Sequence, residues 1–227
     1  MGDTAHSDQQ APLRDRPRPS IQIPPPSPKP QRREAVPVTL RRLRPFRQGE
    51  LDALCGIYAA INAIRLALGR RGEELSIEDW AHLFGVMVAS ADVEIGAVTA
   101  TTVGIHTKPL LAILGVAAQH MSDEHGIGIT VARFAKRRER PPLEEALARL
   151  STLIDQPGSA VILPLEGYLD HWSVLRWVGT ATLELFDSYG FSRVSIANCR
   201  MTHEPARLGR REHIIRARAI LLVDVRS

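Results

Sequence analysis

Between Cys55 and Leu68 the chain reads CGIYAAINAIRLAL, with only Asn62 and Arg65 strongly polar. A helix here is apolar on nearly every side rather than along one stripe, which places it in the middle of a domain. Ser76 with Asp79 three positions on has the form of a capping box, and Ile77, Trp80, Phe84, Met87 and Val88 keep helical spacing behind it. A third helix is expected after Thr107 and Pro109, with Leu110, Leu114, Ala117 and Met121 on one face and a stop near Gly126. Leu143, Leu147, Leu150 and Ile154 mark a fourth, opened by Pro141 and Pro142 and closed by Pro157 and Gly158. The pattern then changes. Ala160 to Leu163, His171 to Val178, Thr182 to Asp187 and Ile214 to Val225 are rich in β-branched or aromatic residues and bounded by Gly, Pro or Asp, as strands are. Gly126 to Phe134 is a weaker strand candidate. Trp172 to Phe186, passing through Gly179, reads as a hairpin. Helices early and strands late, without crossover helices between the late strands, predict an α+β domain with a mainly antiparallel sheet.

Composition narrows this picture. The chain has 227 residues, 44% apolar and 24% charged, which fits one globular domain with spare length. No run approaches the ~20 apolar residues of a membrane span, and the first 40 positions hold no apolar segment of a secretory signal. No membrane association is expected, and the expected compartment is the cytoplasm. Two cysteines, Cys55 and Cys199, are too few for a disulfide framework, so one of them is a candidate working thiol.

Charge and proline divide the chain. Ten of the 29 basic residues, but four of the 25 acidic ones, lie in residues 1–47, and nine of the sixteen prolines precede residue 40. The run holding Pro24, Pro25, Pro26, Pro28 and Pro30 can form neither a helix nor a central strand. Residues 1–36 are therefore read as a disordered, basic, Pro-rich arm, and 37–227 as the folded domain. The arm is a tether or a docking segment for a protein partner. It has no aromatic residue before Phe46 on which a base would stack, so nucleic acid is not expected as its ligand. Arg207, Arg210, Arg211, Arg216 and Arg218 form a second basic stretch to which the same reading applies.

The chemistry gathers at four positions. Cys55 stands at the expected start of the central helix, followed by Gly56, where the helix dipole and unpaired N–H groups favour a thiolate. Gln48, seven residues earlier on a Gly-containing loop, has an amide able to donate to an oxyanion, with the Cys55 backbone N–H as second donor. A thiol nucleophile also needs a base and an orienting acceptor. His171 opens an apolar strand where an imidazole has no packing reason to be, and Asp187 ends the returning strand. An odd-length loop around Gly179, or a bulge, would bring both side chains to one face; a strict two-residue turn would separate them. Asn62, two turns after Cys55, is read as hydrogen-bonding backbone inside the core, and Cys199 as packing. The remaining histidines lack metal-ligand spacing, and Gly126 and Gly128 lack the rest of a phosphate loop, so neither metal nor cofactor is expected.

In order, QGELDALCGIYAAINA, DHWSVL and LFDSYG resemble the glutamine, cysteine, histidine and acid segments of papain-like cysteine peptidases. The similarity is to the small bacterial branch that includes the double-glycine leader peptidases, and it spans Gln48 to Gly190. The resemblance implies a buried helix bearing the cysteine against a mainly antiparallel sheet, with Cys55 as nucleophile, His171 as base and then acid, Asp187 as orienter and Gln48 as oxyanion donor. The Gln48-to-Cys55 interval is one residue longer than in papain relatives, Leu54 replaces an Asp frequent before the cysteine in the leader peptidases, and Ser188 stands where those often carry Pro. The function expected is a thiol hydrolase that cleaves a peptide or isopeptide bond of a peptide or protein substrate through an acyl-enzyme. Two alternatives stay open. The same groups would serve an acyltransferase, transglutaminase or deamidase, and a non-catalytic module would bind through its basic arm.

Overall fold

The computed structural model describes residues 43–49, 52–207 and 211–226. The arm expected over 1–36, its boundary at 37 and Arg210 lie outside them. Helix α1, Cys55–Arg70, is buried along most of its length, including Ile57, Ile61, Ile64 and Leu68, as its lack of a polar stripe requires. Each such fully buried side chain contributes ~1.5–3 kcal/mol. Helix α2, Ile77–Ile95, starts at the Ser76–Asp79 capping box, with Asp79 N–H donating to Ser76 Oγ at 3.1 Å. Helix α3, Ala97–Thr102, is one short turn and a half of AVTATT, with too few apolar positions to show a period. Helix α4, Thr107–His125, ends where Gly126 enters the left-handed region at φ 65°, and α5, Leu143–Ile154, follows Pro142 as anticipated.

The strands are β1 Gly128–Arg133, β2 Ser159–Gly167, β3 His171–Val178, β4 Thr182–Leu185, β5 Arg193–Ser195, β6 Cys199–Met201, β7 His213–Ile215 and β8 Leu221–Arg226. They form one sheet in the order β1-β8-β2-β3-β4-β5, with β7 beside β2 and β6 beside β7. Every pairing is antiparallel except β6 with β7. The segment expected as one strand from Ile214 to Val225 is two, because a 3₁₀ turn at Ala217–Ala219 interrupts it; both halves pair along the same side of β2.

Helices α1, α2 and α4 cover one face of the sheet and α5 the other. Alternation along β2 sorts the cores: Ala160 and Ile162 pack with the α1 group, Val161, Leu163 and Leu165 with the α5 group. The fold is thus α+β, with five α-helices on a mainly antiparallel sheet among the described residues. No helix among the described residues is long and apolar enough to cross a membrane.

Candidate active site

The first two residues of α1 meet the first two of β3. Gly56 faces Trp172 and Ile105 so closely that an added Cβ would lie 3.3 Å from Ile105 Cβ and 3.5 Å from Trp172 Cδ1. Trp172 is fixed in turn by its indole N–H, which donates to the Ile105 carbonyl at 2.8 Å. This contact seats the helix start against the strand, and it puts the partly exposed Cys55 thiol beside the His171 ring. His171 Nε2 lies 2.7 Å from Asp187 Oδ2, so Nδ1 is the nitrogen left for the sulfur. In the Ser-His-Asp arrangement the two nitrogens have the opposite assignments.

The register that allows this comes from a β-bulge. Strands β3 and β4 pair Val178 with Leu183 and Trp177 with Glu184, then Leu175 with Leu185, so Arg176 is an extra residue on β3. Phe186 N–H donates to the Val174 carbonyl at 2.8 Å, which continues the shifted register and sets Asp187 opposite Ser173, on the face His171 shares. Without the bulge Asp187 would fall opposite Val174 and point away. The connection itself, with Gly179 N–H donating to the Thr182 carbonyl, spans an even number of residues and would not have produced that parity. The bulge is held from α1: Arg70 donates to the Arg176 carbonyl at 3.0 Å and to the carbonyls of Ser159, at 2.9 Å, and Ile154.

Asp187 is held as tightly as the ring. Its Oδ1 accepts the backbone N–H groups of Tyr189, Gly190 and Phe191 at 2.8, 2.9 and 3.1 Å, while Oδ2 faces His171. Burial alone would raise the pKa of this carboxyl. The His171 contact, the facing Ser173 hydroxyl, which falls short of ideal hydrogen-bond geometry, and the Phe191 N–H outweigh burial and hold it below the usual carboxylate range. For His171, burial pushes the pKa down, but the hydrogen bonds and charges of Asp187 and Cys55 more than reverse it and carry the ring up to about 9. At neutral pH the ring is therefore an imidazolium between two acceptors.

Gln48 belongs to the same neighbourhood. Its backbone N–H donates to the Ser188 carbonyl at 3.1 Å, and its Oε1 lies 3.5 Å from Ser188 Oγ, so its loop is docked on the residue after Asp187. Its amide nitrogen donates to the Asp52 carbonyl at 2.6 Å, which leaves one of its two N–H bonds for another acceptor. Asn62 fixes the root of this loop from inside the core: its Oδ1 accepts the Phe46 N–H at 2.7 Å and its Nδ2 donates to the Phe46 carbonyl at 3.1 Å. The backbone role expected of Asn62 is what the structure has. Cys199 is buried, lies 3.4 Å from the Ser195 carbonyl, and is pushed up to about 12 by that burial.

Of the two routes to a shared face that the sequence offers, an odd-length loop or a bulge, the structure has the bulge; its position at Arg176, its anchor Arg70 and the backbone cradle around Asp187 are not read from the sequence. The compact SYGF following Asp187 is the one local signal for that cradle. Among the described residues no group of three or more His, Cys, Asp or Glu side chains is placed to hold a metal ion. Comparison of the chain with protein-family models, curated proteins and solved structures finds no match.

Proposed function

We propose that this protein is a papain-like thiol hydrolase that cleaves a peptide or isopeptide bond through an acyl-enzyme. The observation that carries the reading is the meeting of the Cys55 sulfur from α1, the His171 ring from β3 and the Asp187 carboxylate from the turn after β4, the last two 2.7 Å apart. In the proposed reaction Cys55 has given its proton to His171 before substrate arrives, so that the ring is an imidazolium, and the thiolate attacks the substrate carbonyl. His171 then gives its proton to the departing amine as the C–N bond breaks, leaving a thioester on Cys55. Water, deprotonated by the now neutral ring, releases the acyl group. The second N–H of Gln48 and the first-turn amide of α1 are the donors available to the oxyanion.

Limited alkylation with iodoacetamide followed by peptide mass spectrometry tests the nucleophile. Cys55 is expected to be labelled well ahead of Cys199, and Cys55→Ala to abolish turnover with the fold retained. Equal labelling of both thiols, or turnover by Cys55→Ala, would overturn the proposal.

A further inference from the structure

The chain's three tryptophans are unequally covered. Trp80 is buried and meets Phe46 edge-on at 5.6 Å between centroids, and Trp172 is held by its bond to the Ile105 carbonyl. Trp177 is 49% exposed, and among the described residues no other ring is stacked on it and no guanidinium lies over it. A ring of this size ordinarily finds cover. It walls a cavity of about 750 Å³ where the last turns of α1, the loop between α5 and β2, and the β3–β4 pair come together. That volume suits a ligand of drug size. At ~3.3 Å per residue Trp177 lies ~20 Å along β3 from His171, so the cavity is separate from the candidate active site.

The rest of the lining decides what fits. Leu66 and Ile154 are apolar, while Asp155, Gln156, Arg176 and Glu184 bring hydrogen-bonding groups. With Arg70, the lining holds two guanidiniums and two carboxylates, so its charges cancel and it favours neither an anion nor a cation. The Arg70 guanidinium is committed to the carbonyls of Ile154, Ser159 and Arg176. The Asp155 and Glu184 carboxylates belong to no ion pair among the described residues. Gln156 donates one N–H to the Thr152 carbonyl at 3.4 Å and keeps a second for a ligand. A wholly apolar occupant would strip these groups of water without replacing it, which is costly. The occupant must therefore be uncharged, with one apolar face for the indole and a rim of hydroxyl or amide groups for the carboxylates and Gln156. A pyranose ring has that form: its axial C–H bonds make a flat apolar face, and its hydroxyls stand around the edge. We infer that this cavity is a binding site for a neutral saccharide, stacked on Trp177 and held at its rim by Asp155, Gln156 and Glu184. The site stands whether or not the hydrolase reading does.

Isothermal titration of the full chain with maltotriose, cellotriose and tri-N-acetylchitotriose tests it, with galacturonate trimer and protonated glucosamine trimer as charged comparators. At least one neutral trisaccharide is expected to bind, and more tightly than either charged one. Trp177→Ala is expected to weaken that binding roughly tenfold, the contribution of one stacked ring, and Trp177→Phe to weaken it less. Glu184→Gln alters an exposed position that the fold does not need, and is expected to weaken binding severalfold, which keeps the test open if Trp177→Ala does not fold. Circular dichroism of each variant checks the fold. No heat from any neutral trisaccharide at millimolar concentration would overturn the site. So would a charged trimer binding at least as tightly as the neutral ones, or affinity unchanged in a folded Trp177→Ala or in Glu184→Gln.

Discussion

At the scale of the residue, Asp187 is the side chain whose two oxygens do different work. Oδ1 holds three backbone N–H groups and Oδ2 orients the ring. Asp187→Asn is therefore not a neutral exchange: the three N–H donors keep the amide oxygen, which turns the NH2 toward His171 Nε2. The ring must then carry its proton on Nδ1, facing the sulfur, and cannot accept one from it. Turnover is expected to fall on the order of 10²–10⁴-fold with KM little changed, as loss of a correct tautomer does elsewhere. Asn62 acts through packing and hydrogen bonds instead. Asn62→Leu strips the Phe46 N–H and carbonyl of their partners, and the denaturant midpoint is expected to report a loss of ~2–4 kcal/mol. Cys55, His171 and Asp187 were legible in the chain because each residue is chemically out of place in an apolar element. The cradle around Asp187 was not, since backbone N–H groups carry no residue identity.

Among the elements, three of the four long helices could be read from their punctuation, Ser76 with Asp79, Gly126, and Pro141 with Pro142, and α1 from its unbroken apolar run. Strands β5 and β6, three residues each, are too short for alternation to register, and α3 has too few apolar positions. The β3–β4 register was readable only as a choice, because the bulge at Arg176 is decided by a side chain over a hundred positions away. Arg70 lies at the far end of the helix that begins with Cys55 and caps carbonyls from three separate segments. Burial lowers its pKa, with Asp155 opposing and Arg176 reinforcing that shift. Arg70→Met is expected to destabilise by ~2–4 kcal/mol through orphaned carbonyls. It is also expected to lower kcat more than it raises KM, because the bulge that aligns His171 with Asp187 loosens. A variant destabilised to that degree with unchanged kcat would separate the bulge from the site.

Taken as a whole molecule, the chain carries histidines shifted in opposite senses, and its stability should depend on pH accordingly. His171 binds its proton more tightly folded than unfolded, so its contribution is complete below the ordinary histidine value of ~6.5 and is lost as pH rises through about 9. His213 is held down by burial, and His120 by burial together with His82 and His125 against the opposing Glu124 and Asp123. These two resist protonation in the folded state, so they cost stability as pH falls below ~6.5. Denaturant midpoints measured between pH 5 and 10 are expected to decline at both ends. His171→Gln should remove the decline between ~6.5 and about 9 and leave both the acid one and the further fall above pH 9 that the raised Cys199 thiol contributes.

The proposed chemistry depends on one meeting of groups, the His171 ring between the Cys55 sulfur and the Asp187 carboxylate. An NMR titration of the labelled His171 ring measures that meeting without any substrate. The expected result is a ring that keeps its proton up to about pH 9 and titrates lower in both Cys55→Ala and Asp187→Asn. A ring that loses its proton at or below the ordinary histidine value, and does so identically in wild type and Cys55→Ala, would contradict the account.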